Sequence, residues 1–237
     1  FSKSVTGKVC TVTWNSAQDY EAAANDHDSD GTYDLSIAFT DGTNPLGAQS
    51  TSITLSDDND ITPTYAATDA NPTVTEGATA VDSVTITDAD TDAIDDNTCT
   101  LGGADDGLFT CTVTETAYTL AFTSSPDYDS TTACAAGNTC AVTVTIDDGT
   151  NTGATVAYSI TVGDANDQTP AVTVAGTYST PEGTTAFQAF TMVDSDTAGT
   201  YDCTLSGDDA GKFSKSVTGK VCTVTWNSAQ DYEAAAN

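Results

Sequence analysis

Two acid-rich heptads are the places where this sequence could do chemistry. Asp57-Asp58-Asn59-Asp60-Ile61-Thr62-Pro63 is echoed, 107 residues further on, by Asp164-Ala165-Asn166-Asp167-Gln168-Thr169-Pro170. Each sets several carboxylate and carbonyl oxygens on an extended stretch that ends in proline. Hard divalent cations need such a supply, because Ca²⁺ takes roughly six to eight oxygen ligands and neutralises carboxylates that otherwise repel one another. An Asp-rich stretch alone also reads as an ordinary turn. Recurrence separates the two readings: Glu76-Gly77 is matched by Glu182-Gly183, Asp88-Ala89-Asp90 by Asp194-Ser195-Asp196, and Asp127-Tyr128-Asp129 by Asp231-Tyr232-Glu233. A further run at residues 26–31, DHDSDG, has the spacing of the first half of an EF-hand loop, but Ile37 stands where the twelfth-position Glu is required. It reads as a solvated acidic turn, with His27 exposed within it.

Other chemistries find little here. One histidine leaves no nucleophile-base pair of the Ser-His kind, and neither Gly7-Lys8 nor Gly211-Lys212 has phosphate-loop spacing. The acids repeat with the chain instead of converging on one place, so a structural role is expected and an enzyme is not. The formal charge of -30, from 35 acidic and 5 basic side chains, argues against nucleic acid as a partner, since phosphates are held by clustered Lys and Arg. No apolar run approaches the roughly 20 residues of a spanning helix, so no membrane insertion is expected in this segment.

The elements that must position the acids follow from composition and alternation. The acid is almost all Asp, 30 residues against 5 Glu, and Thr contributes 47 residues. Asp suits turns and metal loops, while Thr with Val, Ile, Tyr and Phe suits pleated strands. Tyr33, Leu35, Ile37 and Phe39 alternate with Asp34, Ser36 and Ala38, and Val142, Val144 and Ile146 alternate with Thr143 and Thr145. That is the pattern of strands with one buried and one wet face. Further short runs at 9–14, 53–55, 81–87, 118–122, 156–162, 171–174 and 187–193 lie between Gly, Asp, Asn and Pro turns. The fold class expected is all-β, in immunoglobulin-like sandwiches of about 105 residues.

Repeats set the domain organisation. The 25 residues FSKSVTGKVCTVTWNSAQDYEAAAN at 1–25 recur unchanged at 213–237, a period of 212 residues. With the half-period of about 105 residues, this predicts three parts: 1–63, the C-terminal part of a module completed by a preceding copy; 64–170, a complete module; and 171–237, the N-terminal part of the next. The chain is expected to be an excerpt of a longer tandem array. Cys10 and Cys222 are one position in successive copies, so the 7 cysteines reduce to six per period. Cys99 with Cys111 and Cys203 with Cys222 occupy matching CTL and CTV segments, and Cys134 with Cys140 closes a short loop. Cys10 is expected to bond a cysteine of the preceding copy. Three disulfides per period point to an oxidising, extracellular setting, and the absence of any CxxC pair weighs against zinc thiolates.

Taken together, the ordered set resembles the cadherin repeat family, in particular bacterial and archaeal cadherin-like modules. The residues that carry it are Thr180-Pro181-Glu182-Gly183, Asp194-Ser195-Asp196, LSGDDAGKF at 205–213, Asp231-Tyr232-Glu233 with its copy Asp19-Tyr20-Glu21, YDLSIAFTDG at 33–42, and the heptad at 57–63. They span essentially the whole chain. The resemblance implies Ca²⁺ at each junction between modules. By position, the junction near residue 63 would use Asp19, Glu21, Asp57, Asp58, Asn59 and Asp60 from one side and Asp88, Asp90 and Asp147 from the other. The junction near residue 170 would use Glu76, Asp127, Asp129, Asp164, Asn166 and Asp167, then Asp194 and Asp196. Glu182, Asp231, Glu233 and Asp41 are the corresponding ligands of the module broken between 171–237 and 26–63. Ile61 and Gln168 replace the family's usual Asn, Ala165 offers only its backbone, and Asp129 is shorter than the usual Glu.

The function this implies is a structural, calcium-binding repeat segment of a long extracellular surface protein, forming an adhesin stalk or filament. Neighbouring copies of the same repeat are the expected partners. The alternative is a module that binds a cell-surface protein or glycan through its loops, for which Tyr65, Tyr178 and Tyr201 are the few aromatic candidates. Assembly of separate chains end to end, the broken module of one completed by residues 26–63 of another, is a third expectation.

Overall fold

The structure, a computed structural model, describes residues 1–22, 32–90, 97–130, 133–197 and 199–233. The acidic run at 26–31, with His27, lies outside them. Strands β1 (Ser2–Thr6) and β2 (Val9–Thr13) are followed by β3 (Thr32–Thr40) and β4 (Pro45–Thr54). Then come β5 (Thr73–Thr75), β6 (Ala80–Thr85), β7 (Thr98–Gly102), β8 (Phe109–Val113), β9 (Ala117–Phe122), β10 (Thr139–Asp147) and β11 (Val156–Gly163). The last four are β12 (Ala171–Val172), β13 (Ala186–Val193), β14 (Phe213–Thr218) and β15 (Val221–Trp226). The regular structure is β-strand apart from short 3-10 turns such as those at Asp106–Leu108 and Ala210–Lys212.

The chain divides into two compact units. One comprises Phe1–Pro72, Ala80–Thr123 and Ala141–Ser159; the other Thr73–Thr79, Ser124–Cys140 and Ile160–Asn237. In the first, β6-β9-β8 form an antiparallel sheet, and β10 pairs with β7 in the register Cys99↔Ile146 and Leu101↔Val144. Alternation decides what is buried: Val142, Val144 and Ile146 are essentially inaccessible, as are Tyr118 and Leu120 of β9. Side chains of this size bury about 1.5–3 kcal/mol each of transfer free energy. The polar tips in this core are paired, Tyr118 with Tyr158 at 2.8 Å, Tyr158 donating to Asp82 at 2.8 Å, and the Tyr65 hydroxyl accepting from the Ile146 N–H at 2.7 Å. Cys99 and Cys111 are bonded and tie β7 to β8.

Two hairpins, β1-β2 and β3-β4, belong to the same unit and are covered far less. Val5 and Val9 are 67% and 63% exposed. The β4 strand runs from Pro45, well before the apolar run at 53–55 that announces it, because Leu46 to Ser52 alternate too weakly to read as one face. In the second unit, β12-β13-β15-β14 form an antiparallel sheet over Met192, Cys222 and Val224, packed by Phe187, Phe190 and Leu205. The edge strand β5 pairs parallel with the end of β11, Val74 opposite Val162. Cys134–Cys140 and Cys203–Cys222 are bonded, and Cys10 is free. Residues 203–205 carry the same CTL triplet as β7 but are not a strand. The triplet in β7 has β10 beside it, and among the described residues of this unit 203–205 have no such neighbour.

Candidate metal centres

The acids gather at the ends of strands, where the chain leaves a sheet and its backbone N–H groups need acceptors. Two loops with the pattern Asp-x-Asp fold alike. Asp88 accepts the Asp90 N–H at 3.2 Å, and Asp194 accepts the Asp196 N–H at 3.1 Å. Each turn drives its second Asp inward, leaving Asp90 1% and Asp196 0% exposed. From there each reaches back to the acid-rich heptad: Asp90 Oδ2 accepts the Ile61 N–H at 2.8 Å, and Asp196 Oδ2 accepts the Gln168 N–H at 2.9 Å. Ile61 and Gln168, two of the departures from the pattern the sequence resembles, therefore act here through their backbone N–H groups.

The early glutamates form the second recurring device. Glu76 accepts two backbone N–H groups, Tyr128 at 2.6 Å through Oε2 and Ala165 at 2.7 Å through Oε1. Glu182 accepts the Tyr232 N–H at 2.9 Å. Each is followed directly by a turn glycine with positive φ, 80° at Gly77 and 73° at Gly183, whose N–H binds the loop ahead of the Asp-Tyr motif, Gly77 to Pro126 and Gly183 to Gln230. A side chain at either position would be strained in that left-handed backbone.

These devices bring carboxylates together, and the ion pairs among the described residues, Lys212–Asp209 and Lys215–Asp202, lie on other acids. One oxygen from each of Glu21, Asp60 and Asp90 lies within 4.8 Å of the others. The same holds for Glu76, Asp129 and Asp167, for Asp129, Asp164 and Asp196, and for Glu182, Asp231 and Glu233. Buried oxygens Glu21 Oε1, Asp90 Oδ1, Asp129 Oδ2, Asp148 Oδ2 and Asp196 Oδ1 make no hydrogen bond. An ionised oxygen held so is costly unless a cation or a proton meets it. The protein's own charges show the strain. A hydrogen bond shared with Asp57 pushes the Glu21 carboxyl up to about 7. Desolvation, and then the charges of Asp196, Glu76 and Asp164, raise Asp129; desolvation, with Asp90 and Asp148 nearby, raises Asp88. Lys220 approaches the second Asp-x-Asp loop but donates to the carbonyl oxygens of Asp194 and Asp196, at 2.7 and 3.2 Å. The donor set is all oxygen, anionic and partly unsatisfied, which fits Ca²⁺.

Not every sequence candidate joins a cluster. Asp147 spends its carboxylate on the Gly149 N–H and the Thr152 hydroxyl, and is half-buried. Its neighbour Asp148 takes the inward place: it is 1% exposed, accepts Thr150 and Asn151 N–H groups, and its carbonyl accepts Asn59 Nδ2 at 3.3 Å. The signal was present, because counting back from Gly149 aligns Asp148, not Asp147, with Asp41 before Gly42. Asp41 itself closes the β3-β4 turn; backbone N–H bonds from Asn44 and Thr43 hold its carboxyl down to about 2. Asn59 interlocks with Asn151 at 2.9 Å. Asp19 and Asp127 accept N–H groups of Ala22 and Ser130 in their own turns, and Asp58 and Asn166 are exposed. Asp164 also accepts the Thr197 N–H and hydroxyl.

No protein-family model matches the sequence, and no curated protein does. Solved structures do. The human CDH23 fragment EC21-23 superposes with a TM-score of 0.57 at 21% identity, covering 86% of this chain and 66% of that one. PcdhgB3 EC1-4 superposes with a TM-score of 0.57 at 21% identity, covering 92% of this chain and 52% of that one. Protocadherin gamma B7 extracellular cadherin domains 1-4 give 0.53 at 22% identity, 92% and 52%. The chain thus spans between half and two thirds of the length of these ectodomain fragments. At such identities the likeness is one of fold: this is a chain of cadherin-like β-sandwich architecture.

Proposed function

We propose that the chain is a structural segment of a long extracellular protein, in which calcium at the linkers between sandwich modules stiffens an adhesive stalk or filament. The modules are the sequence-defined ones, 1–63, 64–170 and 171–237. Glu21, Asp57, Asp60, Asp88, Asp90 and Asp148 would hold the ions of the first linker. Glu76, Asp129, Asp164, Asp167, Asp194 and Asp196 would hold those of the second, and Glu182, Asp231 and Glu233 belong to the next. Bound calcium supplies positive charge among carboxylates that otherwise repel, and so fixes linkers that would flex. The observation that carries the reading is the recurrence of one buried Asp with an unsatisfied oxygen, Asp90 and again Asp196, each latched to the backbone of an acid-rich heptad. The disulfides support an oxidising setting outside the cell. No helix among the described residues is long and apolar enough to cross a membrane. The loop-binding alternative draws little support, since Tyr65 packs edge-on against Tyr118 and Tyr178 against Phe187 and Phe190.

Calorimetric titration of the chelated chain with Ca²⁺, paired with thermal melts, tests this. Saturation at about 100 times the dissociation constant stabilises by about 2.7 kcal/mol per site. Asp90→Asn and Asp196→Asn should each weaken one class of sites and leave the other intact. Absence of binding heat, with melts identical in calcium and chelator, would sink the proposal.

A further inference from the structure

The two Asp-x-Asp loops differ in what stands beside them. At the second, Lys220 is half-buried, and its Nζ donates to the backbone carbonyls of Asp194, at 2.7 Å, and Asp196, at 3.2 Å. The ammonium lies 5.4 Å from the centroid of the Tyr201 ring, whose hydroxyl donates to the same Asp196 carbonyl at 3.4 Å. Lys212 and Lys215 meet carboxylates instead, those of Asp209 and Asp202. The first loop has an equivalent hairpin beside it. Ile86, two residues before Asp88, donates its N–H to the Thr116 carbonyl at 2.8 Å, just as Met192, two residues before Asp194, donates to the Lys220 carbonyl at 2.8 Å. Thr116, exposed and uncharged, therefore holds the place of Lys220. Asn97, two residues before the bonded Cys99, holds the place of Tyr201, two before the bonded Cys203.

From this we infer that Lys220 is a positioning residue, a built-in cation that holds the Asp194-to-Thr197 loop in its ligand-presenting shape without a metal, and that the loop at Asp88 to Asp90 lacks this aid. Asp196 shares its cluster with Asp129 and Asp164. Like charges so close repel, and the repulsion drives a short loop open unless positive charge offsets it. An ammonium bound to the loop's own carbonyls supplies that charge from the protein side and leaves the carboxylate oxygens uncommitted, Asp196 Oδ1 among them. Hydrogen bonds from an ionised donor are roughly twice as strong as neutral ones, and a ring beneath the cation adds to the attraction. The clamp stands on this geometry alone, while its consequence for calcium rests on the function proposed above. That consequence is a difference between the linkers. When calcium is withdrawn, the Asp-x-Asp loop of the linker near residue 63 loosens, and that of the linker near residue 170 keeps its shape.

Amide hydrogen exchange of the full chain tests this, because the two loops carry matched probes: the Ile61 and Asp90 amides at the first, the Gln168 and Asp196 amides at the second. In chelator, Lys220→Met, which keeps an apolar stem of similar length and removes the ammonium, should speed exchange at Gln168 and Asp196 by about tenfold, the worth of one hydrogen bond to a charged group. Ile61, Asp90 and the amides of β13 and β15 should be unchanged. Lys220→Arg, which keeps the charge, should retain most of the protection. With saturating Ca²⁺ all four probes should be slow in wild type and in Lys220→Met alike. Unchanged exchange at Gln168 and Asp196 in Lys220→Met, a loss spread evenly through β13 and β15, or an equal loss in Lys220→Arg would each overturn the clamp. Should Ca²⁺ slow neither loop in any of these proteins, the calcium reading would fall, and the comparison in chelator would still decide the clamp.

Discussion

Residues 1–14 and 213–226 are the same peptide in two surroundings. Both make a hairpin with one register, turning at a glycine with positive φ, 63° at Gly7 and 55° at Gly219. Their burial differs. Val224 is 5% and Cys222 4% exposed, whereas every residue of β1 and most of β2 lies open. Local structure thus follows from the peptide, through β-propensity and turn chemistry. The core follows from the neighbour, because β13 pairs with β15 and Leu205 packs against the residues it buries. What the pair teaches is how much stability a fixed sequence acquires from its partners alone.

The largest predicted contrast is at the cysteine. Cys222→Ala should lower the stability of the β12-β13-β15-β14 sheet by about 3 kcal/mol, the value for cross-linking a loop of this length. Cys10→Ala, the same substitution in the same peptide, should change the monomer's stability by less than about 0.5 kcal/mol. Hydrogen exchange at the amides of β2 and β15 reads both. Equal losses at the two sites would mean that the two hairpins are covered alike.

The same contrast explains what could be read from the sequence. Alternation at Leu35-Ile37-Phe39 and Val142-Val144-Ile146 announces strands because each residue's face is a local matter. The acids that cluster were legible for a related reason: Asp90 and Asp196, or Glu76 and Glu182, sit at fixed offsets from turns whose shape is local. Asp148 was missed in favour of Asp147, since which of two adjacent Asp residues points inward depends on strand phase, and a one-residue shift exchanges the faces. The CTL triplet at 203–205 resembles β7 but is not a strand, because pairing needs a second segment that sequence proximity does not supply. β4 was seen only at its end, where Ile53 is the one half-buried residue.

A smaller effect, and an equal one, is predicted at the turns. Gly7→Ala and Gly219→Ala should each cost about 1 kcal/mol, since both place a Cβ in left-handed backbone with open space around it. The penalty is local, so the partner-dependent difference seen at the cysteines should vanish here. Exchange rates at the Thr6 and Thr218 amides, compared with wild type, check it; a loss confined to Gly219 would show that the surroundings, and not the peptide, set the turn.

The smallest predicted effect concerns Glu21, whose raised carboxyl depends on the heptad at 57–63. Its hydrogen-bond partner Asp57 opens that heptad. A carboxyl raised from its ordinary value of 4.5 to about 7 on folding binds more protons folded than unfolded between those limits. Stability from this group is therefore complete below about pH 4.5 and is lost as pH rises toward 7, by the linkage of proton uptake to folding. In chelator, melting of the 1–63 region should fall across that window, and Glu21→Gln should flatten the fall because the amide cannot ionise. Calcium should flatten it too, by favouring the carboxylate that the shared proton now suppresses. If the wild-type slope persisted unchanged in Glu21→Gln, the proton would have to reside on another acid of the cluster, such as Asp57.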